Sequence, residues 1–172
     1  MMLMTSCQDD TTLMGNEGET AMVSFELTTP EIATRAYSDG TTATVLQYAV
    51  YEGETELTDL TKSVAKGNAD TINISKKVNL QLTTGNTYKV IFWAAAPDAP
   101  YKVDFANKTM TVDYTNAVSN DENRDAFYKI QEITVRGTQS ETVELRRPFA
   151  QLNIGTNDYE ASKSAGYEPK YS

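Results

Sequence analysis

The chain has no histidine and one cysteine in 172 residues. Catalysis through Ser-His-Asp or Cys-His groups needs an imidazole and is excluded. A lone cysteine cannot close a disulfide within its own chain. Zinc sites draw on Cys and His, so the composition argues against one. Carboxylate, lysine or tyrosine chemistry, or a metal held by oxygen, is all that remains for an enzyme. Basic charge is also scarce. Fifteen Lys and Arg stand against 24 Asp and Glu, for a net charge of −9. A surface this acidic, with no basic run, repels nucleic acid and anionic lipid, so neither is an expected partner.

What is present is β-forming sequence. The hydrophobic share is 40%, and a domain of this length buries roughly 70% of its unfolded surface. Val23, Phe25 and Leu27 alternate with Ser24, Glu26 and Thr28. A period of two marks a strand with one buried and one wet face. The same pattern recurs in "TATVLQYAVYEG", "TINISKKVNLQL", "YKIQEITV", "ETVELR" and "FAQLNIG". "TYKVIFWAAA" is apolar on both faces after Lys89, which predicts a central strand. "YKVDF" and "MTVDY", joined by "ANKT", predict a hairpin. Residues 54–70 read as a loop with one short helical turn. Ser119 and Glu122 have capping-box spacing, so one short helix is expected near 119–127. About nine short strands and little helix predict an all-β sandwich or barrel. Residues 1–20 are expected to be a signal remnant and flexible tether, 21–158 the β domain, and 159–172 a polar tail or the start of a second domain.

Cys7 lies in a polar stretch ahead of the first strand, where a buried core thiol has no place. Met2, Leu3 and Met4, then Thr5 and Ser6, precede it. Apolar residues followed by small ones and a cysteine form a lipobox-like pattern, and Cys7 is the candidate lipidation residue. Only six residues precede it, whereas a full signal carries an apolar stretch of roughly 7–15 residues. Arg35 lies in the loop after the first strand, between Thr34 and Ala36. It reads either as a solvated loop arginine or as a protease site, since exposed loops with small neighbours are preferred for nicking.

Other features favour structural readings. Asp121, Glu122 and Asp125 lack the alternating oxygen ligands and glycine of a calcium loop, and read as a solvated, capped helix. Trp93, within the most apolar strand, is expected in the core. Exposed Tyr37, Tyr159 or Tyr167 would be better aromatic contacts for a ligand. "LRRPFAQLNI" sets two arginines and Pro148 before an alternating strand, which suits a strand start or a sheet edge.

The lipobox-like start, "TRAYSDGT", "YKVIFWAAA", "DAFY" and "RRPFAQLNIGT" together resemble the N-terminal domain of Bacteroidales fimbrillins, pilin-like surface lipoproteins. The resemblance spans Cys7 to Asp158. It implies a transthyretin-like Greek-key β-sandwich of about seven main strands. It also implies export as a lipoprotein to the cell outer membrane, with membrane contact only through a lipid on Cys7. Cleavage after Arg35 would remove the strand Val23 to Thr28, and a neighbouring subunit's strand would fill the slot. The implied function is a structural or adhesin-like component of a fimbria, partnered by other fimbrial subunits, with no cofactor and no enzymatic activity. The alternative is a monomeric surface lipoprotein that binds a glycan or host ligand.

Overall fold

A computed structural model describes residues 18–28, 42–60, 77–118, 121–149 and 159–166, and every structural statement below concerns these. Nine strands are present: β1 (Thr20–Thr28), β2 (Val45–Glu52), β3 (Thr55–Glu56), β4 (Lys77–Thr83), β5 (Thr87–Ala95), β6 (Tyr101–Asp104), β7 (Thr109–Val112), β8 (Ala126–Thr134) and β9 (Gln139–Glu144). A 3-10 turn spans Glu122–Arg124, and a short helix, α1, spans Tyr159–Ser164. Cys7, Arg35 and the expected final strand, Ala150 to Ile154, lie outside the described residues.

The strands form a three-stranded sheet ordered β4-β1-β9, a four-stranded sheet ordered β3-β2-β5-β8, and the β6-β7 hairpin. The first two sheets face each other across one core. Val23, Phe25 and Leu27 of β1, with Val78, Leu80 and Leu82 of β4 and Val143 of β9, meet Tyr48, Val50, Val90, Phe92, Phe127 and Ile133 from the second sheet. The Phe25 and Phe92 ring centroids are 5.4 Å apart, and Tyr48 lies 6.1 Å from Phe92. Full burial of such side chains contributes roughly 1.5–3 kcal/mol each. The architecture is therefore an all-β sandwich.

The β1 strand is the middle strand of its sheet. It runs antiparallel to β4, with Phe25 opposite Val78, and parallel to β9, with Phe25 opposite Glu141. Alternation predicts which face of β1 is buried. It carries no information on the distant partner β9, and parallel pairing always needs such a crossover.

Gly85 reverses the chain between β4 and β5 at φ +88°, a conformation that glycine adopts without a Cβ penalty. The reversal does not make a hairpin, because β4 and β5 belong to different sheets. It forms a corner. The Gly85 N–H donates to the Val135 carbonyl (2.8 Å), and the Val135 N–H donates to the Asn86 carbonyl (3.0 Å).

The β5 strand is central in its sheet, between β2 and β8, as its double-faced apolarity predicts. Its outer face is covered by the β6-β7 hairpin, whose Tyr101, Val103, Phe105 and Met110 pack against Trp93, Ala95 and Ala126. Trp93 is a core residue, in line with the sequence reading. A clamp from β2 holds the hairpin down. The Tyr51 hydroxyl donates to the Phe105 carbonyl (2.6 Å), and Lys108 lies 4.8 Å from the centre of the Tyr51 ring while pairing with Glu54. Burial, then the nearby Glu56 and Asp104 charges, push the Tyr51 hydroxyl up to about 12.

The short helix expected near 119–127 is present as a single 3-10 turn, Glu122–Arg124, capped by Asp121. It is not the only helix among the described residues, because α1 lies in the expected polar tail. Asp125 is not part of a solvated helix: it is buried against Arg147. In residues 54–70, read as a loop with one short helical turn, residues 58–60 form such a turn, while Thr55–Glu56 form the unexpected β3.

Candidate functional site

The outer face of the four-stranded sheet is only partly covered. Register aligns Gln47, Trp93 and Tyr128 in one row across β2, β5 and β8, and Ala49, Ile91 and Ile130 in the next. The hairpin buries Trp93, but Tyr128 and Ile130 on the outermost strand stay exposed. Alternation places these two on the same face, because residues two apart on a strand share one.

Aromatic rings connect this row to the surface. Trp93 meets Tyr101 edge-on, with centroids 5.5 Å apart and planes at 76°. Tyr101 stacks on Phe149 at 5.5 Å and 18°. Three rings thus run from the buried sheet face outward. The outer ring, Phe149, is 40% exposed; outside this line, Tyr128 is 39% and Tyr114 69% exposed. The Tyr101 hydroxyl donates to the Arg124 carbonyl, and burial raises its pKa while the Arg124 charge opposes the rise.

The segment after β9 sets the position of Phe149. Tyr128 and Arg146 exchange two backbone hydrogen bonds, of 2.8 and 2.9 Å. Arg147 then grips Asp125 in a fork along one edge of its guanidinium, Nε to Oδ1 at 3.1 Å and Nη2 to Oδ2 at 2.9 Å. Its guanidinium also lies 4.8 Å from the centre of the Phe127 ring. A planar fork on a carboxylate fixes direction as well as distance. Pro148 follows with a restricted φ, so Phe149 leaves a held arginine along a constrained path.

The other wall is the 3-10 turn. Asp121 Oδ1 accepts from the Asn123 N–H (3.1 Å), and Asp121 Oδ2 lies 3.3 Å from Arg124 Nε. Arg124 Nη1 donates to the Asp113 carbonyl (3.3 Å), and the Asp113 N–H donates to the Pro100 carbonyl (2.8 Å), tying the end of β7 to the start of β6. Hydrogen bonds from Thr115 hold the Asp113 carboxyl below its ordinary range. Flat apolar rings edged by fixed carboxylates and carbonyls can bind a ligand that has an apolar face and hydroxyl donors.

Of the residues singled out in the sequence, Asp121 and Asp125 come to this site, as arginine partners rather than calcium ligands. Among the described residues, no group of three or more His, Cys, Asp or Glu could hold a metal ion. No described helix is long and apolar enough to cross a membrane. Tyr37 and Tyr167 lie outside the described residues, and Tyr159 opens α1. Tyr101, Tyr114, Tyr128 and Phe149 were not expected as site residues. The signal that could have raised them is the pairing of "DAFY" with "RRPF", an acid and an arginine each set beside aromatic residues.

A family model described as a family of unknown function (DUF6562) matches residues 15–171, and the chain belongs to that family. No curated protein matches. Two solved structures are similar to parts of the chain. One is a candidate polysaccharide-binding protein (DUF1812) of Bacteroides thetaiotaomicron, with TM-score 0.45 and 13% identity over 74% of this chain and 47% of that one. The other is a candidate adhesin of Bacteroides ovatus, with TM-score 0.45 and 11% identity over the same shares. The chain therefore spans about half the length of these structures. Likeness at this level fixes neither ligand nor assembly.

Proposed function

We propose that this member of the DUF6562 family is a non-enzymatic binding domain of a surface lipoprotein, and that the rings beside β8 contact a carbohydrate. The observation that carries this reading is the line Trp93–Tyr101–Phe149, anchored in the core and open at its outer end. The C–H face of a sugar ring is apolar and lies flat on an aromatic ring, while its hydroxyls seek fixed acceptors. A preordered platform spares the ligand part of the ordering cost. The test is retention of the purified domain on a panel of immobilised polysaccharides. A Phe149→Ala, Tyr128→Ala double variant should bind at least about tenfold more weakly, about 1.4 kcal/mol, with an unchanged thermal melt. A wild-type domain that no polysaccharide retains, or a variant that binds as well as wild type, would sink the reading.

A second reading is supported by the middle position of β1. Removing it would strip both β4 and β9 of a partner and open an apolar slot lined by Val78, Leu80, Leu82 and Val143. Unpaired edges and apolar slots capture extended strands. In this fimbrillin-like reading the domain is a transthyretin-like fimbrial subunit carried to the cell surface by a lipid on Cys7, cut after Arg35, and refilled by a neighbouring subunit. Limited digestion with an arginine-specific protease should then give a cut after Arg35 by mass spectrometry, and polymers by electron microscopy. A cleaved chain that stays monomeric and keeps its full thermal stability contradicts it.

A further inference from the structure

The charges around the rings limit which carbohydrate fits. Each of three guanidinium groups there already faces a carboxylate: Arg124 faces Asp121 (3.3 Å), Arg146 faces Glu144 (3.7 Å) and Arg147 faces Asp125 (2.9 Å). Asp113 adds a fourth carboxylate beside the start of β6, held charged by Thr115. The balance of these named groups is one negative charge, on a chain whose net charge is −9. A bound sugar acid would bring another anion into this rim, and its oxygens would compete with Asp125 for an arginine already held by two hydrogen bonds. Like charges brought together at an interface weaken binding and exclude the wrong partner. Neutral hydroxyls meet no such penalty. They can donate to the Asp113 and Asp121 carboxylates, and Thr115 keeps Asp113 an acceptor by holding its pKa below the ordinary range.

We infer that the site takes neutral glycans and rejects those bearing uronic or sialic acids. This selectivity rests on the carbohydrate reading above and deepens it. The experiment compares a neutral polysaccharide, mannan, with an acidic one, polygalacturonate, by affinity electrophoresis at about 0.05 and about 0.5 M salt, a range over which screening falls from long to short reach. Mannan should bind at least about tenfold more tightly at low salt, and the gap should narrow as salt rises. An Asp113→Asn, Glu144→Gln variant should also narrow the gap, through stronger retention on polygalacturonate. Preferential binding of polygalacturonate by the wild type would overturn the inference and leave the carbohydrate reading standing. A gap that neither salt nor the charge variant changes would overturn the electrostatic cause. Binding to neither polysaccharide would remove the carbohydrate reading itself, and the selectivity with it.

Discussion

Phe25→Asp is expected to leave the domain largely unfolded at room temperature. Phe25 is fully buried in the middle strand of its sheet, and its ring lies 5.4 Å from Phe92 across the sandwich. Truncating a core Phe alone costs about 3–5 kcal/mol. Aspartate adds a carboxyl that has no partner among Val23, Leu27, Val78 and Val143, so it is either buried charged or forced to protonate. Domains of this kind have about 5–15 kcal/mol of total stability, so the sum consumes most or all of it. Far-UV circular dichroism and urea titration should show no cooperative transition. Phe25→Leu keeps an apolar side chain and should still unfold cooperatively, at a midpoint lower by roughly 0.5–1.5 M, for about 1–2 kcal/mol. A Phe25→Asp chain with a wild-type urea midpoint would show that β1 does not hold the two sheets together, and would weaken both functional readings.

Local pattern explains how much of this fold the sequence reveals. The alternation in β1, the two apolar faces of β5 and the β6-β7 hairpin follow from spacing, because each depends on residues a few positions apart. Pairing partners do not. The parallel alignment of Phe25 with Glu141, and the corner that sends β4 and β5 into different sheets, are set by contacts between distant segments. The ring site was hidden for the same reason. Trp93 reads correctly as buried, but nothing near Tyr101 or Phe149 in the chain announces that the two stack. Asp125 misled, because an acid in "NDENRD" looks solvated until Arg147 is brought against it. A buried acid is tolerable only with such a partner.

Asp125→Ala should be the most damaging single change outside the main core. It leaves the Arg147 guanidinium, mostly shielded from water, without its carboxylate. Removing one partner of a buried pair costs about 3–5 kcal/mol, because the remaining charge loses its opposite charge in a poorly hydrated place. The double variant Asp125→Ala, Arg147→Met should recover a good part of that loss, since Met can cover Phe127 without a charge to satisfy. A double-mutant cycle by urea denaturation should give a coupling of about 1–3 kcal/mol. The two variants also separate stability from binding. The double variant regains apolar packing, but it has lost the fork that directs Pro148 and Phe149 toward Tyr101. Its stability should therefore return further than its retention on mannan. If stability and retention recover in parallel, Phe149 is positioned by packing alone, and the ion pair serves the fold rather than the site. If the single Asp125→Ala variant loses under about 1 kcal/mol, water reaches Arg147 freely and the pair is an ordinary surface bridge.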